Sequence, residues 1–398
     1  MRVQDIMKIT VILFCVVGIL FSAGCDYQAK EVEEEKYSAS DNQPGPNLED
    51  VMRHGHATLV YDGRMWVLGG RDSYLMNNPS VYSFLNDVWY SKDGVHWTCV
   101  TSDADWGRRT AHGGAVFNGK MWIIGGTYFN RYDQQVWCRD IWCSSNGRDW
   151  EYMGQGPWDH RADMAVVVHN DRLYVIGGHF GPRSYYADAW SSADGVHWRQ
   201  ECESLPVPEG SGLAGASAVS CNGKIWLIGG ESYGGNEGSY SYPRYVYYQL
   251  NTVMTSVDGS SWQVVQYQSS PFPGRAAHGA LAVDGTIWLS GGAGEEAGDN
   301  LHEYRGYFFD LYMLDTAAGS NGQWVRVDTM GDNDFPGRCY HSFVHYDGRF
   351  WMLLGYGMKS WIEGPDEYGE FYRYYEKDIF TDAWSSADGV EWEMVHGE

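Results

Sequence analysis

Short apolar runs alternate with Gly- and Asp-rich turns from residue 53 onward, and after residue 25 no apolar positions recur at helical spacing. HATLVYDGRMWVLGG, residues 56–70, shows the pattern: two apolar strands flank Asp62-Gly63, a dipeptide that supplies the positive φ of a tight hairpin. NDVWYSKDGVHW, residues 86–97, predicts a second hairpin turning at Asp93-Gly94. Together they predict a four-stranded antiparallel meander.

The unit recurs. An aromatic residue followed by diglycine ends at Gly70, Gly126, Gly178, Gly230 and Gly292, and a sixth copy ends at Gly355 with Leu354 in place of the first glycine. Ten residues before each aromatic stand His56, His112, Met164, Ala216, His278 and His341. Three residues further back stand Arg53, Arg109, Arg161, Leu213, Arg275 and Arg338. Each unit closes on a Trp, at 97, 150, 198, 262, 324 and 392. A lone four-stranded sheet is stable only with its faces covered, so repeats of this period predict sheets stacked around an axis.

Arg-x-x-His, aromatic-x-x-Gly-Gly, Asp-x-Trp and the late Trp together resemble the kelch repeat, over residues 53–396. The resemblance implies an all-β, six-bladed kelch-type β-propeller with four antiparallel strands per blade, occupying residues 51–398. Both ends of the array fall at unit boundaries, which predicts closure by side-by-side packing alone. The DGVHW turns also resemble the Asp-box of sialidases, one residue shorter, and read as structural hairpins.

Before the array, Arg2 and Lys8 precede an apolar run, residues 9–21, that ends in Ser22-Ala23-Gly24-Cys25. Residues 1–24 read as a secretory signal too short to span a bilayer. The small residues before Cys25 resemble the lipobox of bacterial lipoproteins, with Ser22 where Leu is usual. That resemblance implies a lipidated Cys25 on an exported, envelope-anchored protein, periplasmic or at the cell surface; ordinary cleavage near Ala23 is the alternative. Residues 25–50, with KEVEEEK and DNQPGPN, read as an acidic tether without apolar periodicity.

Charge excludes one class of partner. With 52 acidic against 28 basic side chains and a formal charge of −24, the chain repels phosphate backbones, so no nucleic-acid role is expected. The eight cysteines include no metal-type CxxC pair, and those beyond Cys25 read as small buried residues.

Candidate chemistry lies on the face carrying the connections between second and third strands, which are long and rich in Tyr, Glu and Asp. Tyr245, Tyr247, Trp361 and Glu363 suit sugar recognition, rings stacking on pyranose faces and carboxylates accepting hydroxyl protons; self-packing of the loops is the other reading. Arg53, Arg109, Arg161, Arg275 and Arg338 form a second candidate, a ring of guanidiniums able to clamp a carboxylate or phosphate. Their alternative partners are Asp87, Asp140, Asp188, Asp310 and Asp382 of neighbouring blades. The recurring histidines read as core residues rather than metal ligands, and no phosphate loop, nucleophile elbow, metal site or cofactor motif is present.

These residues leave several functions open. One is a non-catalytic carbohydrate- or protein-binding module at the envelope. A second, implied by resemblance to the periplasmic kelch sialic-acid mutarotases, is a sugar-modifying enzyme. A third, a copper oxidase similar to galactose oxidase, needs a Tyr and His ligand set that nothing in the sequence fixes.

Overall fold

The computed structural model describes residues 51–72, 83–132, 134–207, 211–239, 242–265, 272–295, 305–316, 323–329, 336–363 and 372–396. The expected signal, Cys25 and the tether lie outside them. Among the described residues there is no α-helix, and none long and apolar enough to cross a membrane.

The first repeat forms strands Ala57–Tyr61, Arg64–Asp72, Ser83–Ser91 and Trp97–Thr101, each antiparallel to the next. Five more four-stranded antiparallel sheets of this pattern follow in the described residues. The Asp62-Gly63 hairpin has φ of 48° and 64°, the left-handed pair this turn requires. In the second hairpin the Ser91 hydroxyl accepts the Gly94 N–H at 2.8 Å, and Asp93 Oδ1 accepts those of Val95 and His96 at 3.0 and 2.8 Å.

These turns also lock sheets together. A β-carbon at Gly147 would lie 2.3 Å from the Trp66 ring of the preceding repeat, and one at Gly195 would lie 2.1 Å from Trp122. Gly94 of the first repeat meets Trp351 of the sixth in the same way. The apolar interior divides accordingly into clusters between consecutive sheets. One of them joins Met65, Val67 and Trp97 of the first repeat to Trp351 and Leu353 of the sixth.

The array closes on itself through the backbone as well. Ala111 donates to the Gly55 carbonyl, Asp163 to Ala111, Gly215 to Asp163, Ala277 to Gly215 and Tyr340 to Ala277, at 2.8–2.9 Å. Gly55 donates to Tyr340 at 3.4 Å and completes the cycle. Each belt residue stands two after the repeating Arg position, and all six have φ between 52° and 64°.

The connections expected as long loops are extended β-ribbons where they are described. Glu231–Ser239 pairs with Tyr242–Gln249 in register from Glu231↔Gln249 to Ser239↔Tyr242, and Tyr356–Glu363 pairs with Tyr372–Ile379. Glycines in ESYGGNEGSYSY suggest an irregular loop, yet one bulge between Tyr233 and Gly235 absorbs the irregularity.

Candidate functional site

The five repeating arginines are turned into their own repeats. Arg161 donates to Asp188 through Nη1 at 2.6 Å and Nη2 at 3.0 Å, to the Gly177 carbonyl at 2.8 Å and to the Asp159 carbonyl at 3.2 Å. Arg53 with Asp87, Arg109 with Asp140, Arg275 with Asp310 and Arg338 with Asp382 repeat the arrangement. All five arginines are buried, and their partners lie in the same repeat, not in the neighbour as the sequence suggested. Four of the aspartates also accept a Trp indole N–H from two residues on, for example Trp190 to Asp188 at 2.8 Å, which is what the Asp-x-Trp motif is for. Burial pushes the Asp140 carboxyl up, but the bonds and charge of Arg109 outweigh it and hold the group below its usual range. The fourth repeat loses both halves together: Leu213 replaces Arg, and Thr252 stands where the others have Asp.

The recurring histidines are neutral core groups. Burial first, and then the charge of the neighbouring Arg, pulls His56, His112 and His278 down to about 3. The rings of His112, His278 and His341 pack against the first glycine of the preceding repeat, where a β-carbon would meet each Cε1 at 2.8–3.1 Å. Among the described residues no group of His, Cys, Asp and Glu has the geometry to hold a metal ion, and all six described cysteines are free thiols.

Variation among the repeats, rather than recurrence, marks the polar site. The residue after each diglycine pairs with, or directly follows, the approach to the belt; the six are Arg71, Thr127, His179, Glu231, Ala293 and Tyr356. In the third and fourth repeats these positions build one cluster. His179 Nε2 lies 3.1 Å from Asp163 Oδ2, and its Nδ1 lies 3.0 Å from the Gly181 carbonyl. A carbonyl only accepts, so Nδ1 carries a hydrogen, and the contact to Asp163 then requires one further proton shared by the pair. Burial lowers the His179 pKa, but the hydrogen bond and charge of Asp163 more than reverse this and raise it. Next to it, Tyr185 donates to Glu231 Oε1 at 2.6 Å, and Gln249 donates to Oε2 at 2.9 Å. Burial and the Glu231 charge push the Tyr185 phenol far up, so it stays a donor.

Aromatic rings extend this cluster across three repeats. Trp137 meets His179 edge-on at 5.0 Å and Phe180 at 5.3 Å; His179 meets Tyr185 at 5.3 Å. Tyr185 continues to Tyr233 and Tyr247, and Tyr233 to Tyr245. Arg183, exposed, sits 5.9 Å from the Tyr245 ring, and Phe180 is 44% exposed. Tyr245 and Tyr247, singled out in the sequence, are therefore brought together beside Asp163, His179, Arg183 and Glu231, which were not. For Trp361 and Glu363 the structure describes the backbone, opposite Tyr374 and Tyr372 on the ribbon of the sixth repeat; their side chains lie outside what is described. On the axis a cavity of about 170 Å³ is lined by the belt residues, including Asp163 and Tyr340, and by the recurring histidines.

A closed array of four-stranded antiparallel sheets, with its varied side chains at one end of the axis, defines a β-propeller. Comparison with known proteins gives the family. The Kelch motif matches residues 52–91 and 160–191. N-acetylneuraminate epimerase of Shigella boydii serotype 4 (strain Sb227) is 24% identical over 304 residues, 67% of this chain and 78% of that protein. The enzyme of the same name from Shigella flexneri is 25% identical over 247 residues, 54% of this chain and 64% of that one. Beta-scruin of Limulus polyphemus is 24% identical over 232 residues, 56% of this chain, which spans only 23% of scruin's length. Among solved structures, one titled "Structure of YjhT" matches with a TM-score of 0.59 at 17% identity, covering 87% of this chain and 98% of that one. The chain is a kelch-repeat β-propeller.

Proposed function

We propose that this chain is an exported carbohydrate-binding propeller, held at the bacterial envelope through lipid on Cys25, that takes an acidic sugar at the junction of its third and fourth repeats. The observation that carries the reading is the continuous aromatic run from Trp137 to Tyr245, with Arg183 over one end and Asp163 and Glu231 at its base. Flat rings cover the apolar faces of a pyranose, carboxylates take its hydroxyls, and an exposed guanidinium pairs with a sugar carboxylate. In a chain of charge −24, one cation beside those rings gives an acid sugar a defined orientation. A glycan panel that includes N-acetylneuraminate tests this: binding should weaken roughly tenfold in Arg183→Ala and Tyr245→Ala. A panel without any bound sugar would reject it.

A second reading is favoured by one observation, the proton-sharing Asp163–His179 pair beside the Glu231 carboxylate. Relatives named N-acetylneuraminate epimerase point the same way. On this reading the bound sugar exchanges anomers, with Glu231 as proton acceptor. Anomer exchange followed by proton NMR separates the two, because a binding module leaves the spontaneous rate unchanged.

A further inference from the structure

We propose that the axial cavity seats a single sugar ring between Asp163 and Tyr340, with Asp163 passing the proton it shares with His179 to the ring oxygen. This rests on the carbohydrate reading above and adds to it a place, two residues and a step.

The first argument is the broken symmetry of the belt. Its six positions hold Gly55, Ala111, Asp163, Gly215, Ala277 and Tyr340. Four have nothing beyond a β-carbon. The two that do stand three repeats apart, on opposite sides of the closed hydrogen-bond cycle, and both line the cavity.

The second is backbone strain. Tyr340 has φ of 52°, in the left-handed region that bulky residues avoid, whereas Asp163 at 53° is of a type that tolerates it. Gly55 and Gly215 make the same belt hydrogen bonds without that penalty. The Tyr340 ring meets that of His54 at 6.1 Å, and we assign the phenol, kept on this backbone where glycine suffices, to the cavity it lines.

The third is the proton. His179 is 20% exposed, where the arginines of the repeating pairs are 4% exposed or less, so the proton it shares with the 15% exposed Asp163 is accessible. A volume of about 170 Å³ lies below the roughly 300–1,000 Å³ of sites for drug-sized ligands, which fits one ring rather than an oligosaccharide. For a reducing sugar the step balances without a cofactor. The shared proton moves to the ring oxygen as the bond from anomeric carbon to ring oxygen breaks. The anomeric O–H electrons become the carbonyl π bond, and that proton passes by way of solvent to Glu231, which stands next to the cavity lining, hydrogen-bonded to Tyr185. Rotation and reversal give the other anomer.

The test uses the full-length chain with N-acetylneuraminate and glucose as probes, reading affinity by calorimetry, anomer exchange by NMR and stability by thermal melting. Tyr340→Gly relieves the strain, so the melting temperature should rise by about 1–3 °C while affinity falls roughly tenfold. Asp163→Asn keeps the belt N–H and a residue type that tolerates this backbone; it should bind within about threefold of wild type but slow exchange at least about a hundredfold. His179→Gln should slow exchange likewise. Wild-type affinity and exchange in Tyr340→Gly and Asp163→Asn, alongside lost binding in Arg183→Ala, would overturn this inference and leave the outer groove standing. A Tyr340→Gly chain that melts earlier would make Tyr340 structural and overturn it too. If the wild type binds the acid sugar without speeding exchange, the proton step fails; if it binds neither probe, the carbohydrate reading fails with it.

Discussion

Arg161 holds Asp188 by two parallel charge-assisted bonds inside a single repeat, and Asp188 in turn accepts the Trp190 indole N–H. The guanidinium is buried and four of its N–H groups are engaged, so it fastens the first strand's approach to the third strand of its own sheet.

Removing one partner of such a pair strands a buried charge. Arg161→Ala should cost about 3–5 kcal/mol of stability by chemical denaturation while leaving ligand affinity unchanged in the fraction that remains folded. Arg161→Leu with Asp188→Thr, copying the Leu213 and Thr252 of the fourth repeat, should recover much of that loss. Equal losses in the single and double variants would contradict the pairing.

Sheet-to-sheet contact is tested at Gly147. Its φ of 75° disfavours any other residue, and a β-carbon would fall 2.3 Å from the buried Trp66. Gly147→Ala should destabilise by about 2–4 kcal/mol. Gly119→Ala, at a hairpin with φ of 69° but open space around it, should cost only the backbone share, about 1 kcal/mol.

Acid should weaken the fold through its histidines. His112 and His278 are buried, with pKa values near 3 against an ordinary 6.5. The unfolded chain therefore binds their protons first, and their share of stability is complete above about pH 6.5 and is lost as pH falls toward 3. At pH 5 the loss comes to about 2 kcal/mol for each. His179 acts oppositely: its pKa is raised, so its contribution is complete below about 6.5 and fades as pH rises through the folded value. Met164 fills the histidine position in the third repeat, so His112→Met should fold and flatten the acid limb measured by urea denaturation between pH 7 and 5.

The repeats were legible because recurrence at fixed spacing is visible in one sequence: Arg53 to Trp66 reappears as Arg109 to Trp122, with the same hairpin between. The site was mostly not legible, for the opposite reason. Asp163 and His179 stand where the other repeats carry different residues, and counting what recurs passes over them. Their signal lay in aligning the repeats and asking which axial positions differ. The arginines drew attention because they recur, and recurrence here marks a fastening that every sheet needs. The ribbons read as loops in the sequence because glycine content conceals register; Tyr233 pairs with Tyr247 and Asn236 with Tyr245 despite Gly234 and Gly235 between Tyr233 and Asn236.

Anchoring has its own test. Cys25→Ala in the full-length chain should move the protein from the detergent phase to the aqueous phase and abolish incorporation of labelled fatty acid. Unchanged partitioning would point to cleavage near Ala23 and plain secretion.

The central claim is that the long-ribbon face recognises an acidic sugar at the junction of the third and fourth repeats. Calorimetric titration of the full-length chain with N-acetylneuraminate, beside Arg183→Ala and Tyr245→Ala, tests it most directly. The account predicts saturable binding that weakens roughly tenfold in each variant with melting temperatures unchanged. Saturable binding that ignores both substitutions would contradict it.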